Sequence, residues 1–326
     1  MDKVIAVVVT YNRVQLLSQC ITALRNQTRK IDQILVINNG STDSTEEWLR
    51  EQEDVDFITQ KNVGGAGGFH TGIKTAFEKK YSWIWVMDDD GFPKEDALEK
   101  LLEDDHEELC LRNCAVINKD DKESFVWKTG DFATIGEVDS NVIKNVAHPF
   151  NGTLLHRKII ERVGLPQANL FLWGDETEYL YRIVIKNKIP FYTKTTSIHY
   201  HPACAYSYKN DWAFSSNWKM YYYVRNRFYI LQTKFSQSIL LAYAMYLVFL
   251  VAFAGTIIVF QKTNKFQKLG FILWPVKDAL VNNCDATPQV ILQKLSASPN
   301  GIGNYIFYRL KVLTGVFSQP ASSSLQ

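Results

Sequence analysis

Residues 4–13 read VIAVVVTYNR, a β-branched apolar run that breaks into a polar turn. Six apolar residues in a row leave no polar face, so the strand they form is covered on both sides, as in a parallel sheet flanked by helices. Working outward, Leu16, Leu17, Cys20, Ile21 and Leu24 recur at helical spacing over residues 15–27, and ILVI at 34–37 is the next buried strand. That is a βαβ unit. Asn38-Asn39-Gly40-Ser41-Thr42-Asp43 is a turn into a helix over 45–53, followed by a short strand at 56–59 and a glycine-rich loop, NVGGAGGF, at 62–69. A helix over 70–80 then leads to a strand at 83–87 that ends in Asp88-Asp89-Asp90. This alternation predicts an α/β fold with an open, mostly parallel central sheet, whose ligands sit beyond the carboxyl ends of the strands.

Beyond residue 91 the pattern is less regular. We expect a helix at 94–105, strands at 114–118 and 146–150, and a strand running into a helix across NGTLLHRKIIERVG at 151–164. Residues 239–260 carry no charge, and their 22 residues at ~1.5 Å rise can cross a ~30 Å hydrocarbon core. Lys234 precedes this segment, and Lys262, Lys265 and Lys268 follow it, so the positive-inside rule favours neither simple orientation. The organisation expected is a catalytic domain over 1–210 and an α-helical, membrane-associating region over 211–326.

Of the 326 residues, 46% are hydrophobic, enough for a full core. The 36 basic and 34 acidic residues are spread along the chain, so no bulk field points to nucleic acid. The cysteines (Cys20, Cys110, Cys114, Cys204, Cys284) are odd in number and form no CxxC pair, which reads as reduced thiols. The N-terminus has one lysine and no small-residue cleavage site, as expected of a first strand rather than a signal peptide. A cytoplasmic catalytic part follows from that reading.

Asp88, Asp89 and Asp90 repel one another at the end of an apolar strand, an arrangement that makes sense in front of a divalent cation such as Mg²⁺ or Mn²⁺. A solvated acidic turn is the competing reading. Gly64, Gly65, Gly67 and Gly68 allow close backbone approach to a phosphate or sugar, or make a tight strand-to-helix turn. Behind the aromatic run that ends at Trp173 come Asp175, Glu176 and Glu178. A carboxylate near apolar rings can serve as a general base, although Glu178 can equally pair with Arg182 four residues on. His199 and His201 share one face of a strand end, suiting metal ligation or simple packing. YYYVRNR at 221–227 offers Arg225 and Arg227 to a diphosphate or an acceptor sugar, or an aromatic belt to a membrane.

Taken in order, VVVTYNR, INNGSTDST, NVGGAGGF, WVMDDDG, WGDETEY, SIHYHP and WKMYYYVRNR resemble glycosyltransferase family 2, over about residues 4–230. The resemblance implies a GT-A fold and an inverting transfer from a nucleotide-sugar donor, with Mn²⁺ or Mg²⁺ as cofactor. By position it puts Thr10, Tyr11 and Arg13 in the nucleotide pocket and Asp88 and Asp90, with Asp89 nearby, in the metal and diphosphate site; we expect Asn38, Asn62, Gly64, Gly65, Gly67, Gly68, Trp173 and Arg225 to bind the donor as well. Asp88, Asp90, His199 and His201 would hold the metal, and Glu176 or Asp175 would be the base. Glutamate at 176 departs from the family's aspartate, as does Asn38 where the family usually has aspartate. Within the family the motifs are most similar to bacterial galactofuranosyltransferases, with rhamnosyltransferases nearby. The partners so implied are UDP-galactofuranose or dTDP-rhamnose, a lipid-linked glycan acceptor of O-antigen or capsule type, and the cytoplasmic membrane surface, in peripheral or monotopic attachment. A nucleotidyltransferase and a non-catalytic membrane scaffold are the readings from other classes.

Overall fold

A computed structural model of the chain describes residues 2–103, 109–203 and 209–296. The chain forms two compact units, Met1–Ala205 with Tyr229–Ala242, and Tyr206–Phe228 with Tyr243–Gln326. Cys204 lies outside the described residues, and the other four cysteines are free thiols.

The first unit opens with β1 (Val4–Thr10), α1 (Val14–Arg25), β2 (Gln33–Asn38), α2 (Thr45–Arg50), β3 (Val55–Thr59), α3 (Gly64–Glu78) and β4 (Trp83–Asp88). It continues through β5 (Phe92–Pro93), α4 (Ala97–Leu102), β6 (Leu111–Asn118), β7 (Ser124–Thr129), β8 (Phe132–Thr134) and β9 (Val142–Lys144). Then come β10 (Asn151–His156), α5 (Arg157–Val163), α6 (Asp175–Tyr181) and β11 (Phe191–His201). The main sheet runs β3-β2-β1-β4-β10-β6-β11-β5. β1 pairs in parallel with both β2 and β4, and β6 with β11, while β10 is reversed between β4 and β6. The sheet is therefore mostly parallel, as the alternation of elements predicts.

β1 feeds two cores. Val4, Ala6 and Val8 pack with Leu17, Cys20, Ile21 and Leu24 of α1, whereas Ile5, Val7 and Val9 pack with Phe69, Ile73 and Ala76 of α3. Alternate side chains of a strand point to opposite faces, so an unbroken apolar run is what a two-sided core requires.

Three expectations need correction. The glycines at 64–68 do not form a loop before a helix at 70: they are the first turns of α3 itself. A Cβ on Gly68 would lie 2.5 Å from Val9 Cγ1, and one on Gly72 2.3 Å from Val7 Cγ1, so these glycines let the helix press onto β1. Residues 146–150 are irregular chain ending in a turn, not a strand. Phe150 sits there at φ 67 and stacks on Phe69 at 4.2 Å, so its apolarity serves the core and not a ladder. The helix expected at 94–105 is shorter, Ala97–Leu102, and residues 104 and 105 lie outside the described residues.

Helices α7 (Lys219–Lys234) and α8 (Ile239–Phe260) contribute to both units, and α9 (Lys265–Leu280) and α10 (Pro288–Ser296) belong to the second. Within the second unit Lys268 is wholly buried, donating to Asp211 Oδ1 at 2.7 Å and Gln261 Oε1 at 2.9 Å and lying 4.7 Å from the Trp212 ring. α8 has mean hydropathy 2.3, yet only 17% of its most apolar window is buried. Leu240 is 80% and Val259 69% exposed, unlike the residues of a soluble core helix.

Candidate active site

The carboxyl end of β4 lies beside the carboxyl end of β1, with Val9 opposite Asp88. That pairing brings the acidic run to the TYNR turn. Thr10 Oγ1 donates to Asp89 Oδ2 at 2.7 Å, and Arg13 Nη1 reaches Asp89 Oδ1 at 3.1 Å and Asp90 Oδ2 at 2.9 Å. His201 Nε2, at the end of β11, is 3.3 Å from Asp90 Oδ1. Burial, then the charges of Asp90 and Asp89, push Asp88 well above the usual carboxylate range. Burial also lifts Asp89 to about 6, against the Thr10 hydrogen bond and the Arg13 charge, which pull it down. At Asp90 burial is outweighed by His201 and Arg13, and its carboxyl stays below the usual value. Asp88 and Asp89 are thus disfavoured as anions by burial, while Asp90, next to Arg13 and His201, is favoured as one.

The second set of carboxylates is carried by α6. Phe171 (φ 67), Trp173 (φ 58) and Gly174 (φ 115) all take positive φ just before it. Non-glycine residues rarely adopt this conformation, and such strain gathers at functional sites. Gly174 N donates to Glu176 Oε2 at 3.1 Å, and Asp175 is buried. Burial, then the Glu176 charge, push Asp175 well above its ordinary value, and the Asp88 charge adds to this. Asp88 in turn feels Glu176. The β4 and α6 carboxylates are thus near enough to feel one another's charge. Glu178 does not join them. It is wholly buried and accepts from Gln167 Nε2, Thr233 Oγ1 and Arg182 Nε, each at 3.0 Å. Its pairing with Arg182 anchors α6.

Other residues of the expected site have different surroundings. Tyr11 is 44% exposed at the mouth of the turn. Asn38 is buried, its Nδ2 donating to Thr59 Oγ1 and its Oδ1 accepting from Ser41 N, so it braces the turn after β2. Asn62 Oδ1 accepts from Gly64 N, and Ala66 N donates to Phe171 O. These bonds occupy amides at the start of α3 that the glycine-loop reading offered to a phosphate. Gly65 alone among the α3 glycines has open space where a Cβ would be, since one on Gly64 would strike Phe171 O and one on Gly67 Val63. Trp173 is half-buried in the strained turn. His199 is sealed, with neither ring nitrogen partnered, and a Cβ on Gly91 would fall 2.0 Å from its Nε2. Burial holds it down at about 3. Arg225 belongs to the second unit, where it is buried over the Tyr222 ring at 5.0 Å. Asn39, which no motif singles out, is buried and donates to Gly64 O at 2.7 Å, tying the β2 turn to α3. Its polarity in a buried turn was the only signal for it.

Residues 5–163 match the model of glycosyl transferase family 2. The galactofuranosyltransferase GlfT1 of Mycolicibacterium smegmatis is 33% identical over 216 residues, 62% of this chain and 71% of that protein. The chain belongs to glycosyltransferase family 2. It is a glycosyltransferase, and the family implies a nucleotide-sugar donor and a glycan acceptor. GlfT1 of Mycobacterium tuberculosis is 29% identical over 222 residues, 64% of this chain and 73% of that protein. Among solved structures, Staphylococcus aureus TarS 1-349 superposes with a TM-score of 0.53 at 12% identity, over 97% of this chain and 93% of that one. At that identity the likeness bears on the fold alone, which is the GT-A arrangement expected of the family.

Proposed function

We propose that this family 2 enzyme is an inverting, metal-dependent galactofuranosyltransferase that moves galactofuranose from UDP-galactofuranose to a lipid-linked glycan at the cytoplasmic face of the cell membrane. The observation that carries the donor assignment is the likeness to two GlfT1 proteins across more than 60% of the chain. Residues 1–210 would be the catalytic domain and 211–326 the helical, membrane-associating region.

The donor set fits a hard divalent cation: Asp88 and Asp90 offer oxygen, and His201, 3.3 Å from Asp90 Oδ1, offers an imidazole. Among the described residues no three such side chains already form a ligand cluster. Mg²⁺ and similar ions are commonly held by one or two carboxylates plus substrate phosphates. Bound there, Mn²⁺ or Mg²⁺ would neutralise charge on the departing nucleoside diphosphate. His199 drops out of the ligand set because both its nitrogens are sealed.

In the transfer step Glu176 takes the proton from the acceptor hydroxyl. That oxygen bonds to the anomeric carbon as the bond to the diphosphate breaks, and configuration inverts. Glu176 is preferred to Asp175 because it is the less buried of the two, its Oε2 held on Gly174 N at the start of α6. Arg13 and Thr10 hold Asp89 and Asp90 in place. The exposed apolar surface of α8 supports monotopic attachment, with the lipid-linked acceptor arriving by lateral diffusion.

A panel of sugar nucleotides tests the reading by nucleoside diphosphate release. UDP freed from UDP-galactofuranose alone supports it, and dTDP freed from dTDP-rhamnose would redirect it to rhamnosyl transfer. Release from no donor, with a lipid-linked glycan and Mn²⁺ supplied, would overturn it.

A further inference from the structure

A cavity of about 480 Å³ opens in the first unit where α7 turns into α8. Lys186, Lys188 and Lys234 line it, with Ser236, Gln237 and Ser238 from the connecting turn, and Ile185, Phe235 and Leu241 supply apolar wall. Among the described residues that line it, none is acidic. All three lysines are exposed, and among the described residues none forms an ion pair; Lys234 lies 5.6 Å from the Tyr181 and Phe235 rings. Three like charges at one cavity with no internal counter-ion give it a positive potential that attracts an anion.

The place of the cavity narrows what that anion is. Leu241 belongs to the first turn of α8 and is exposed, with Ile239 and Leu240 also exposed beside it. Lysines next to an apolar helix that lies in a membrane stand at headgroup level, where a polybasic cluster meets anionic lipid phosphates. Serine and glutamine side chains complement phosphate oxygens and glycerol hydroxyls, and the apolar wall suits the start of an acyl chain. The positive end of the α8 dipole adds attraction of the same sign.

We propose that Lys186, Lys188 and Lys234 form a binding site for the phosphate headgroup of an anionic membrane lipid, which sets how the enzyme rests on the bilayer. The proposal depends on the membrane attachment inferred above but is separable from it. α8 would supply affinity for any bilayer, and the lysine cavity the preference for an anionic one.

The test is sedimentation of the full chain with phosphatidylcholine vesicles and with vesicles that also contain phosphatidylglycerol. The wild-type protein should bind both and prefer the anionic set, with the preference falling as salt rises. Lys186→Gln, Lys188→Gln and Lys234→Gln together should lower affinity for anionic vesicles by roughly a hundred-fold and leave binding to neutral vesicles unchanged. The corresponding Lys→Arg triple should keep the preference. Its loss in that variant, or an equal loss when the exposed Lys74, Lys79 and Lys80 become glutamine, would overturn the site in favour of bulk charge. So would inorganic phosphate bound with the same lysine dependence in a protein that shows no anionic-vesicle preference. Binding to neither vesicle would refute the membrane reading itself.

Discussion

Asp175 and Glu176 are neighbours in the chain but not in environment. Asp175 is buried and held well above its ordinary value by burial and by Glu176, whereas Glu176 is half-buried with its Oε2 on Gly174 N. Glu176→Gln is expected to cut turnover by roughly 10²–10⁴ with donor binding nearly unchanged, because the lost charge acts on the acceptor hydroxyl. A larger loss from Asp175→Asn would reverse the assignment, and no loss from either would place the base elsewhere. His148 makes a second case at this scale. It is half-buried, packs against Trp127 and has Nε2 3.1 Å from Thr129 Oγ1, and burial lowers it from 6.5 to about 4. The folded state thus prefers the neutral ring. The stability this contributes is complete above pH about 6.5 and is lost as pH falls through about 4, worth roughly 3 kcal/mol over the window. His148→Gln should flatten that part of the stability-versus-pH curve, as read by urea unfolding; an unchanged slope would remove His148 as its cause.

At the scale of elements, α3 shows glycine in two opposed uses. Alanine favours a helix by up to about 1 kcal/mol over glycine. At Gly72 a Cβ would lie 2.3 Å from Val7 Cγ1, a β-branched side chain fixed on a buried strand, and overpacking of that kind costs about 1–3 kcal/mol. The clash wins, so Gly72→Ala should lower the urea midpoint. At Gly65 nothing lies within 4 Å of the added carbon, and Gly65→Ala should raise stability by about 0.5 kcal/mol. Equal effects at the two positions would mean that helix propensity, not the α3–β1 contact, governs them. The five-residue π-helical turn after α6, Arg182–Lys186, belongs to the same scale, since it follows the buried Glu178–Arg182 pair and leads to the lysine cavity.

For the whole molecule, two dependences follow from the proposed site and attachment. Stripping divalent metal should abolish turnover, because Asp88–Asp90 would meet a diphosphate with like charge and nothing between them. Full activity in chelator would take the metal role from Asp88 and Asp90. A C-terminal tag on enzyme bound to sealed vesicles should be digested from the cytoplasmic side if α8 lies in the interface. Protection of the tag would mean that Ile239–Phe260 spans the bilayer.

VIAVVV could be read as a strand covered on both faces because solvent on either side would have demanded a polar residue within those six positions. The carboxylates at the end of β4 were legible for the same reason, as was α8, where 22 uncharged residues admit no other long element. What the linear chain could not carry was which partner each polar residue meets. His199 and His201 alternate identically along β11, yet one is sealed between Gly91 and Gly152 and the other reaches Asp90. The glycines of α3 looked like a phosphate loop until β1 stood against them, and Glu178 looked like one more acid until Gln167, Arg182 and Thr233 closed around it. Periodicity reports how much of a side chain is covered. What covers it is decided by contacts between residues as far apart as Glu178 and Thr233, which only the packed structure brings together.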